Sequence, residues 1–413
     1  MQCSRWSPCW ALVVAFGCWD GPVLAQTPAA QPLTLVEALA RAREVAPESA
    51  ASLARVEAAR QGVSEAGRLP NPIFEFRQEN WFSGVPRQAL PLDTFAEVTQ
   101  LIEIGGKRGA RRGVAEAQAG MQEAGAGLTW QSLTREIART YLEALRHRGR
   151  QRTLRAQAAD LAEMVRVMDR RVAVGTTAEA DLLKLRTEEA RAGLDLVRSA
   201  VAAGRALTEL GARLDMDPQL DALELPAITP LVTTDVAAAL NRRPDLVLAR
   251  RTVEAAQQTL RLEEARRVPD PSVNSGLKRT VGVNTAQFTV SMPLPLFNRN
   301  NLARVIVAGE VRAAEFALVA AERRARGELL AAREAAERLS TRSRDARATL
   351  LDPALAAREA ARAAFGAGAL DVMRLVDAER VATEAALVAT DLEIDAVVAA
   401  IEARLAAGED PLP

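Results

Sequence analysis

Apolar residues repeat along the chain with two different periods, and the longer period marks very long helices. Small and apolar side chains recur at alternating intervals of three and four residues over 114–128 and again over 154–172, with no proline between 109 and 172. This spacing is typical of a coiled-coil seam, so we predict one helix of about 65 residues and about 100 Å. The segment 301–364 has the same character and predicts a second long helix, kinked at Pro353.

Apolar and polar residues alternate one by one in two shorter segments, 94–104 and 286–297. The alternation predicts β-strands with one apolar and one polar face. In the second segment Val290 and Leu294 belong to the apolar face and Thr289 to the polar face. About ten residues of this pattern are typical of a membrane strand with lipid on one side and water on the other, so we expect Val290 and Leu294 to face lipid.

The sequence consists of two similar halves. We predict a first unit over 26–214, an irregular linker with three prolines over 215–232, and a second unit over 233–413. Each unit is predicted as helix, β-hairpin, very long helix, tight turn and returning helix. The motif Pro-Asn-Pro at 70–72 and the motif Pro-Asp-Pro at 269–271 end the first helical segment of each unit.

The N-terminus resembles a secretory signal peptide over 1–25, with a short apolar core and an acceptable cleavage site after Ala25. All three cysteines precede residue 26, so the mature chain is predicted to contain none. An alternative is that Cys18 is the lipid-modified N-terminus, although the bulky Phe16 does not suit that signal.

The composition of the chain excludes several classes of function. Lys+Arg and Asp+Glu both number 53, which argues against a nucleic-acid-binding protein that relies on positive charge. The only histidine is His147, so the mature chain has no nucleophile–histidine pair and no set of soft metal ligands. We therefore expect no enzyme, no cofactor, no metal site and no nucleic-acid partner.

The two hairpins supply four strands, the first predicted over 73–82. A closed membrane barrel needs at least about 8 strands, and an open sheet edge is not stable in lipid. The strands must therefore close by association of several copies. A dimer, a trimer and a tetramer all satisfy this arithmetic.

These features together resemble the TolC-type outer-membrane efflux proteins. The resemblance covers about 33–407 and is carried by the duplicated unit, the Leu-Pro-Asn-Pro motif at 69–72 and the Pro-Leu-Pro-Leu-Phe-Asn-Arg motif at 293–299. The run Gln-Leu-Ile-Glu-Ile-Gly-Gly-Lys-Arg at 100–108, with Glu-Asn at 79–80, is similar to the branch for cobalt, zinc and cadmium efflux.

The resemblance implies a fold that is mainly α with a small transmembrane β part. It implies a homotrimer in the outer membrane of a Gram-negative bacterium, with a 12-stranded β-barrel in lipid and a 12-helix tunnel in the periplasm. It implies an inner-membrane resistance-nodulation-division pump and a periplasmic adaptor as partners. The implied function is export of divalent heavy-metal cations. Two alternatives remain, namely export of drugs or peptides by the same architecture and a periplasmic coiled-coil scaffold without transport.

The resemblance also implies site residues at the two turns that follow the long helices. The turns would form the periplasmic tip that docks the adaptor, at Gly175, Thr176, Gly368 and Ala369. Charged residues just past the turns would narrow the pore, and the matching positions are Asp181, Lys184, Arg374 and Asp377. Arg374 departs from the acidic type that the family has there.

Overall fold

A computed structural model describes residues 33–81, 86, 91–219, 221, 223–227 and 235–411. The predicted signal peptide and Cys18 lie outside the described residues, as does part of the predicted linker.

The first half of the chain contains two short helices and two long ones. They are α1 (Leu35–Val45), α2 (Pro47–Ala66), α3 (Lys107–Ala173) and α4 (Glu179–Leu214). Thr34 and Glu37 form a capping box at the start of α1, and Pro47 occupies the first turn of α2, where its missing N–H is not needed. The predicted long helix is confirmed, and α3 is continuous over 67 residues.

The second half has the same order of elements, with one interruption. Its helices are α5 (Val236–Arg242), α6 (Pro244–Ala265), α7 (Asn301–Ala346), α8 (Asp352–Gly366) and α9 (Val372–Ala406). A π-helical turn at Arg347–Leu351 separates α7 from α8, and the Asp352 N–H donates to the Arg347 carbonyl five residues earlier. Pro353 follows directly. A proline ring clashes with the carbonyl four residues before it, so the widened turn accommodates Pro353 at the predicted kink.

Four antiparallel strands form one sheet in the order β1-β2-β3-β4. The strands are β1 (Ile73–Glu79), β2 (Asp93–Leu101), β3 (Ser272–Thr280) and β4 (Val283–Ser291). Val281 and Gly282 join β3 to β4, and both have positive φ (50° and 84°). Positive φ at both central residues matches the two-residue hairpin turn whose twist fits the strands.

The strands are shorter than predicted. The strand expected over 73–82 ends at Glu79, because Asn80 turns the chain with φ of 65°. The strand expected over 94–104 ends at Leu101.

The strand expected over 286–297 ends at Ser291, so the prediction that Leu294 lies within it is wrong. Two prolines, Pro293 and Pro295, follow the strand and lack the N–H that would continue the ladder.

The long helices lie side by side in a row. In the half near the sheet, contacts run from α2 to α3, from α3 to α6 and from α6 to α7. In the half far from the sheet they run from α4 to α3, from α3 to α9 and from α9 to α7 and α8. The helices of one copy therefore form an open row with two ends.

A buried cluster at mid-length joins α1, α3, α4 and α9 around Tyr141, which is fully buried. The Tyr141 hydroxyl lies 2.6 Å from the Leu33 carbonyl and accepts a hydrogen bond from the Glu224 N–H at 2.8 Å. Burial raises the pKa of Tyr141 to about 12. This one side chain fixes both the start of α1 and the segment that follows the first unit.

Candidate functional site

The reversal between α3 and α4 is closed by main-chain hydrogen bonds. The Thr176 N–H donates to the Arg171 carbonyl at 3.0 Å, and the Gly175 N–H donates to the Val172 carbonyl at 2.9 Å. This pair of bonds is the Schellman motif, which satisfies the last carbonyls of a helix.

The reversal between α8 and α9 has the same geometry. The Ala369 N–H donates to the Ala364 carbonyl at 2.9 Å, and the Gly368 N–H donates to the Phe365 carbonyl at 3.0 Å. The two turns that the sequence places in equivalent positions therefore have the same backbone structure.

Both turns require glycine for conformational reasons. Gly175 and Gly368 have φ of 74° and 75°, in the left-handed region that side chains with a Cβ disfavour. A Cβ at either position would meet no atom within 4 Å. Gly175, Thr176, Gly368 and Ala369, the four predicted docking residues, are all exposed at the end of the helical row.

The four predicted pore residues lie in the first turns after these reversals. Lys184 and Asp181 form an ion pair at 3.6 Å on α4. Asp377 and Arg374 are exposed on α9.

Asp377 pairs with Arg380 at 2.8 Å, one turn further along α9. Among the described residues, no ion pair connects the charged residues at the start of α4 with those at the start of α9. Within one copy these charges belong to two separate helix starts.

The helices below the turns are held together by an apolar cluster. Its buried members from α3, α4, α8 and α9 include Met168, Leu185, Phe365 and Leu375. The Arg171 guanidinium lies 4.5 Å from the centre of the Phe365 ring and so joins the first turn to the end of α8.

A charged bridge lies one level deeper. Arg362 on α8 donates to Glu379 on α9 and to Asp160 on α3, both at 2.5 Å, and the Glu379 side chain is buried. The tip is thus a packed bundle end, and its outer surface consists of the turns and the charged first residues of α4 and α9.

The sheet has one apolar and one polar face, as the strand register shows. The apolar face carries Phe74 and Phe76 of β1, Val98 of β2, Leu277 of β3 and Phe288 of β4, all exposed. Val290 also lies on this face and Thr289 on the other. The prediction that Val290 belongs to the apolar face and Thr289 to the polar face is confirmed.

The polar face contains charged residues that were not singled out from the sequence. Glu75 lies opposite Glu97, and Arg77 opposite Phe95. The signal was present, because Phe74 and Phe76 alternate with these charges, but the pairing between strands is not visible in the sequence. Register fixes which charges share a level of the sheet.

The basic run after β2 has a structural role at the junction between sheet and helices. The Lys107 ammonium and the Asp270 carboxylate lie 2.7 Å apart, and Arg111 forms an ion pair with Glu103. The first pair connects the two units where the strands become helices, and the second pair lies within the first unit.

Within the described residues, no group of three or more His, Cys, Asp or Glu side chains is placed to hold a metal ion.

None of the described helices contains an 18-residue stretch apolar enough to cross a membrane.

Comparison with solved structures identifies the class of protein. The outer-membrane protein VceC from Vibrio cholerae has a TM-score of 0.76 at 18% identity, over 91% of this chain and 96% of that one. The channel protein CusC has a TM-score of 0.77 at 15% identity, over 94% of this chain and 96% of that one. The chain has the fold of an outer-membrane channel protein.

The sequence comparison is more specific. The cobalt-zinc-cadmium resistance protein CzcC from Cupriavidus metallidurans is 27% identical over 369 residues, covering 85% of this chain and 84% of the relative. No protein-family profile matches the chain.

The comparisons confirm the resemblance to TolC-type outer-membrane efflux proteins and to their heavy-metal branch. These solved neighbours are outer-membrane and channel proteins, in agreement with the expected location and with the expectation of a channel protein in place of an enzyme.

Proposed function

We propose that the chain is the outer-membrane subunit of a tripartite efflux system and forms a homotrimeric channel for divalent heavy-metal cations. Its partners are a periplasmic adaptor, an inner-membrane resistance-nodulation-division pump and the outer-membrane lipid. The observation that carries the proposal is a four-stranded sheet with an apolar face and two unpaired edges.

The edges of the sheet support closure by further copies. In the described chain β1 pairs only with β2, and β4 pairs only with β3. The outer edges of β1 and β4 therefore present N–H and C=O groups without partners from the sheet. Such groups are costly in lipid, and pairing of β1 of one copy with β4 of the next satisfies them.

The ends of the helical row support the same closure. On α4, Leu183, Leu194, Val197 and Val201 are each more than half exposed, and their intervals of eleven, three and four residues place them on one side of the helix. At the other end of the row, in the half near the sheet, Leu302, Val305 and Phe316 of α7 are exposed. These two apolar edges are what a partner helix would cover.

Sheet and helices are open on corresponding sides. The elements β1, α2 and α4 come from the first unit, whereas β4 and α7 come from the second unit. One copy therefore packs its first-unit edge against the second-unit edge of the next, which is a head-to-tail contact that forms a ring when the rotation closes. Three copies give twelve strands, as the family resemblance implies.

The assembly is tested by measuring the mass of the purified protein in detergent and its location after separation of the two membranes. We expect a trimer in the outer membrane. A stable monomer in the soluble periplasmic fraction would contradict the proposal and favour the coiled-coil scaffold.

The cargo is inferred from the relative whose name specifies cobalt, zinc and cadmium resistance. We expect deletion of the gene to lower resistance to these three cations, and a plasmid copy to restore it. If deletion changes resistance to drugs and leaves metal resistance unchanged, the channel serves drug export.

The charged first turns of α4 and α9 are proposed to surround the narrowest part of the channel. The double variant Arg374→Ala with Asp377→Ala should give a leakier closed channel with a normal yield of trimer. Arg374 forms no ion pair with a described residue, and Asp377 pairs only on its own helix, so their loss removes no contact between helices. Single-channel conductance in a planar bilayer measures the effect. Conductance and ion selectivity equal to those of the wild type would show that these side chains do not line the constriction.

A further inference from the structure

We infer that the polar face of the sheet selects cations inside the barrel and that Glu97 is the residue that determines this selectivity. The inference rests on the proposed closure of the sheet around a water-filled lumen. It concerns passage of ions and does not involve a bound ion.

The charges on the polar face lie in successive rows across the strands. The row farthest from the helices contains Glu79 and Asp93, and the next row contains Arg77 and Lys278. The third row, called the acidic row below, contains Glu75 and Glu97. The remaining rows toward the helices carry no charge on this face.

Both cations of the second row form ion pairs with carboxylates of the outermost row. Lys278 pairs with Asp93 at 2.9 Å, and Arg77 pairs with Glu79. Both cations also lie over the buried Phe95 ring, at 4.3 Å for the Arg77 guanidinium and 5.1 Å for the Lys278 ammonium. These contacts fix both cations at their own level.

Glu97 is left without a cation. Its carboxylate accepts one weak hydrogen bond from the Asn274 amide at 3.3 Å, and no described Lys or Arg lies within ion-pair distance. Glu75 lies directly opposite Glu97 and reaches Arg77 only at 3.5 Å. Like charges that face each other across two strands are destabilising, so this arrangement is not explained by stability of the sheet.

The position of Glu97 is built into the sheet. Its partner on β3 is Gly276, and a Cβ there would come within 2.7 Å of both the Cα and the Cγ of Glu97. The missing side chain leaves room for the glutamate to extend across the polar face. Glu97 and Gly276 are the central residues of their strands, so the acidic row lies at the middle of the sheet.

The charges on this face do not balance. The carboxylates of Glu75, Glu79, Asp93 and Glu97 stand against two cations, which leaves two negative charges per chain. Rings of carboxylates in a pore favour cations over anions. One such charge about 10 Å from an ion in water changes the ion's local concentration by about twofold, and closure multiplies the number of copies.

A cysteine placed in the acidic row reports the local potential independently of the tip. Gln287 lies on the polar face beside Gly276, and the mature chain is predicted to contain no other cysteine. We would compare how fast cationic and anionic methanethiosulfonates modify Gln287→Cys in the assembled protein, with and without Glu97→Gln. We expect the cation-to-anion rate ratio to fall by about threefold or more in Glu97→Gln. An unchanged ratio would overturn the inference.

A cysteine at the neighbouring position distinguishes failure of the selectivity inference from failure of the proposed function. Ala286→Cys lies one residue away on the apolar face and should be shielded by lipid. If Ala286→Cys reacts rapidly and Gln287→Cys does not, the faces are reversed and the proposed barrel is wrong. If Gln287→Cys alone reacts but Glu97→Gln leaves its cation-to-anion rate ratio unchanged, the proposed barrel is supported and the selectivity inference is wrong.

Discussion

An arginine placed on each face of β4 tests the proposed barrel most directly. Ala286 and Gln287 are adjacent residues on opposite faces, and Gln287 is the central residue of the strand Val283–Ser291. Ala286→Arg places a cation toward lipid close to the membrane midplane. Gln287→Arg places the same side chain on the polar face, toward the proposed lumen and in the row of Glu97.

The expected difference in trimer assembly follows from how deep each arginine lies in the membrane. An arginine that faces lipid at the midplane of a membrane barrel costs about 2–4 kcal/mol, and near an interface about 0–1 kcal/mol. Ala286 is one residue from the strand centre, so the higher range applies and a trimer loses about 6–12 kcal/mol. Val290 is three residues from the centre, about 10 Å along the strand, so Val290→Arg compared with Thr289→Arg should show the same sign with a smaller difference.

The assay is the amount of trimer in the outer membrane, read by the change in gel mobility on heating and by mass in detergent. We expect Ala286→Arg to lose most of the trimer and Gln287→Arg to assemble like the wild type. Equal yields from the two variants would refute the assignment of the apolar face to lipid. Loss of trimer from Gln287→Arg alone would show that the faces are reversed.

Two further predictions concern the helices. Gly175→Ala forces a Cβ into φ of 74°, which costs about 1–2 kcal/mol locally, so metal resistance should fall while trimer yield stays normal. Its control is Gly62→Ala in the interior of α2, where no atom lies within 4 Å of the new Cβ and helix propensity improves; equal loss of resistance in both would contradict a role for the turn. Tyr141→Phe leaves the Leu33 carbonyl and the Glu224 N–H with only their long mutual hydrogen bond of 3.4 Å, so the Glu224 amide should exchange hydrogen about five- to 150-fold faster, as a loss of about 1–3 kcal/mol requires. Unchanged exchange at Glu224 would show that the hydroxyl does not hold this segment.

Periodicity predicted the elements that depend on local sequence. The seam over 114–128 and 154–172, in a segment without proline over 109–172, predicted α3 (Lys107–Ala173) to within two residues at each end. A long helix is specified by a repeat that needs no distant partner. The ends of the strands were less predictable. Ile102 and Ile104 continue the apolar alternation, but their N–H groups donate to the Pro271 carbonyl and to Asp270, which are distant in sequence.

The candidate sites likewise divide into those with a local sequence signal and those formed by residues distant in sequence. Gly175 and Gly368 were found from the sequence, because a glycine after a long helix is a local signal for reversal. The acidic row was not found, because Glu75 and Glu97 become neighbours only through the pairing of β1 with β2. The Asp160–Arg362–Glu379 bridge was missed for the same reason, since Asp160 and Arg362 are 202 residues apart.

The closure of both reversals by main-chain groups has an evolutionary consequence. Apart from the glycine, the hydrogen bonds that the two turns share place no demand on side chains, since they run from N–H groups to carbonyls. In the first turn the Thr176 hydroxyl adds a bond to the Arg171 carbonyl at 2.9 Å. Ala369 is therefore free to vary without loss of its turn, and a change at Thr176 removes the hydroxyl bond but keeps the main-chain bonds. A duplicated gene can change the surface of each tip independently while the scaffold stays the same. Recognition of different partners can thus diverge at these few residues, in two copies of one turn that need not evolve together.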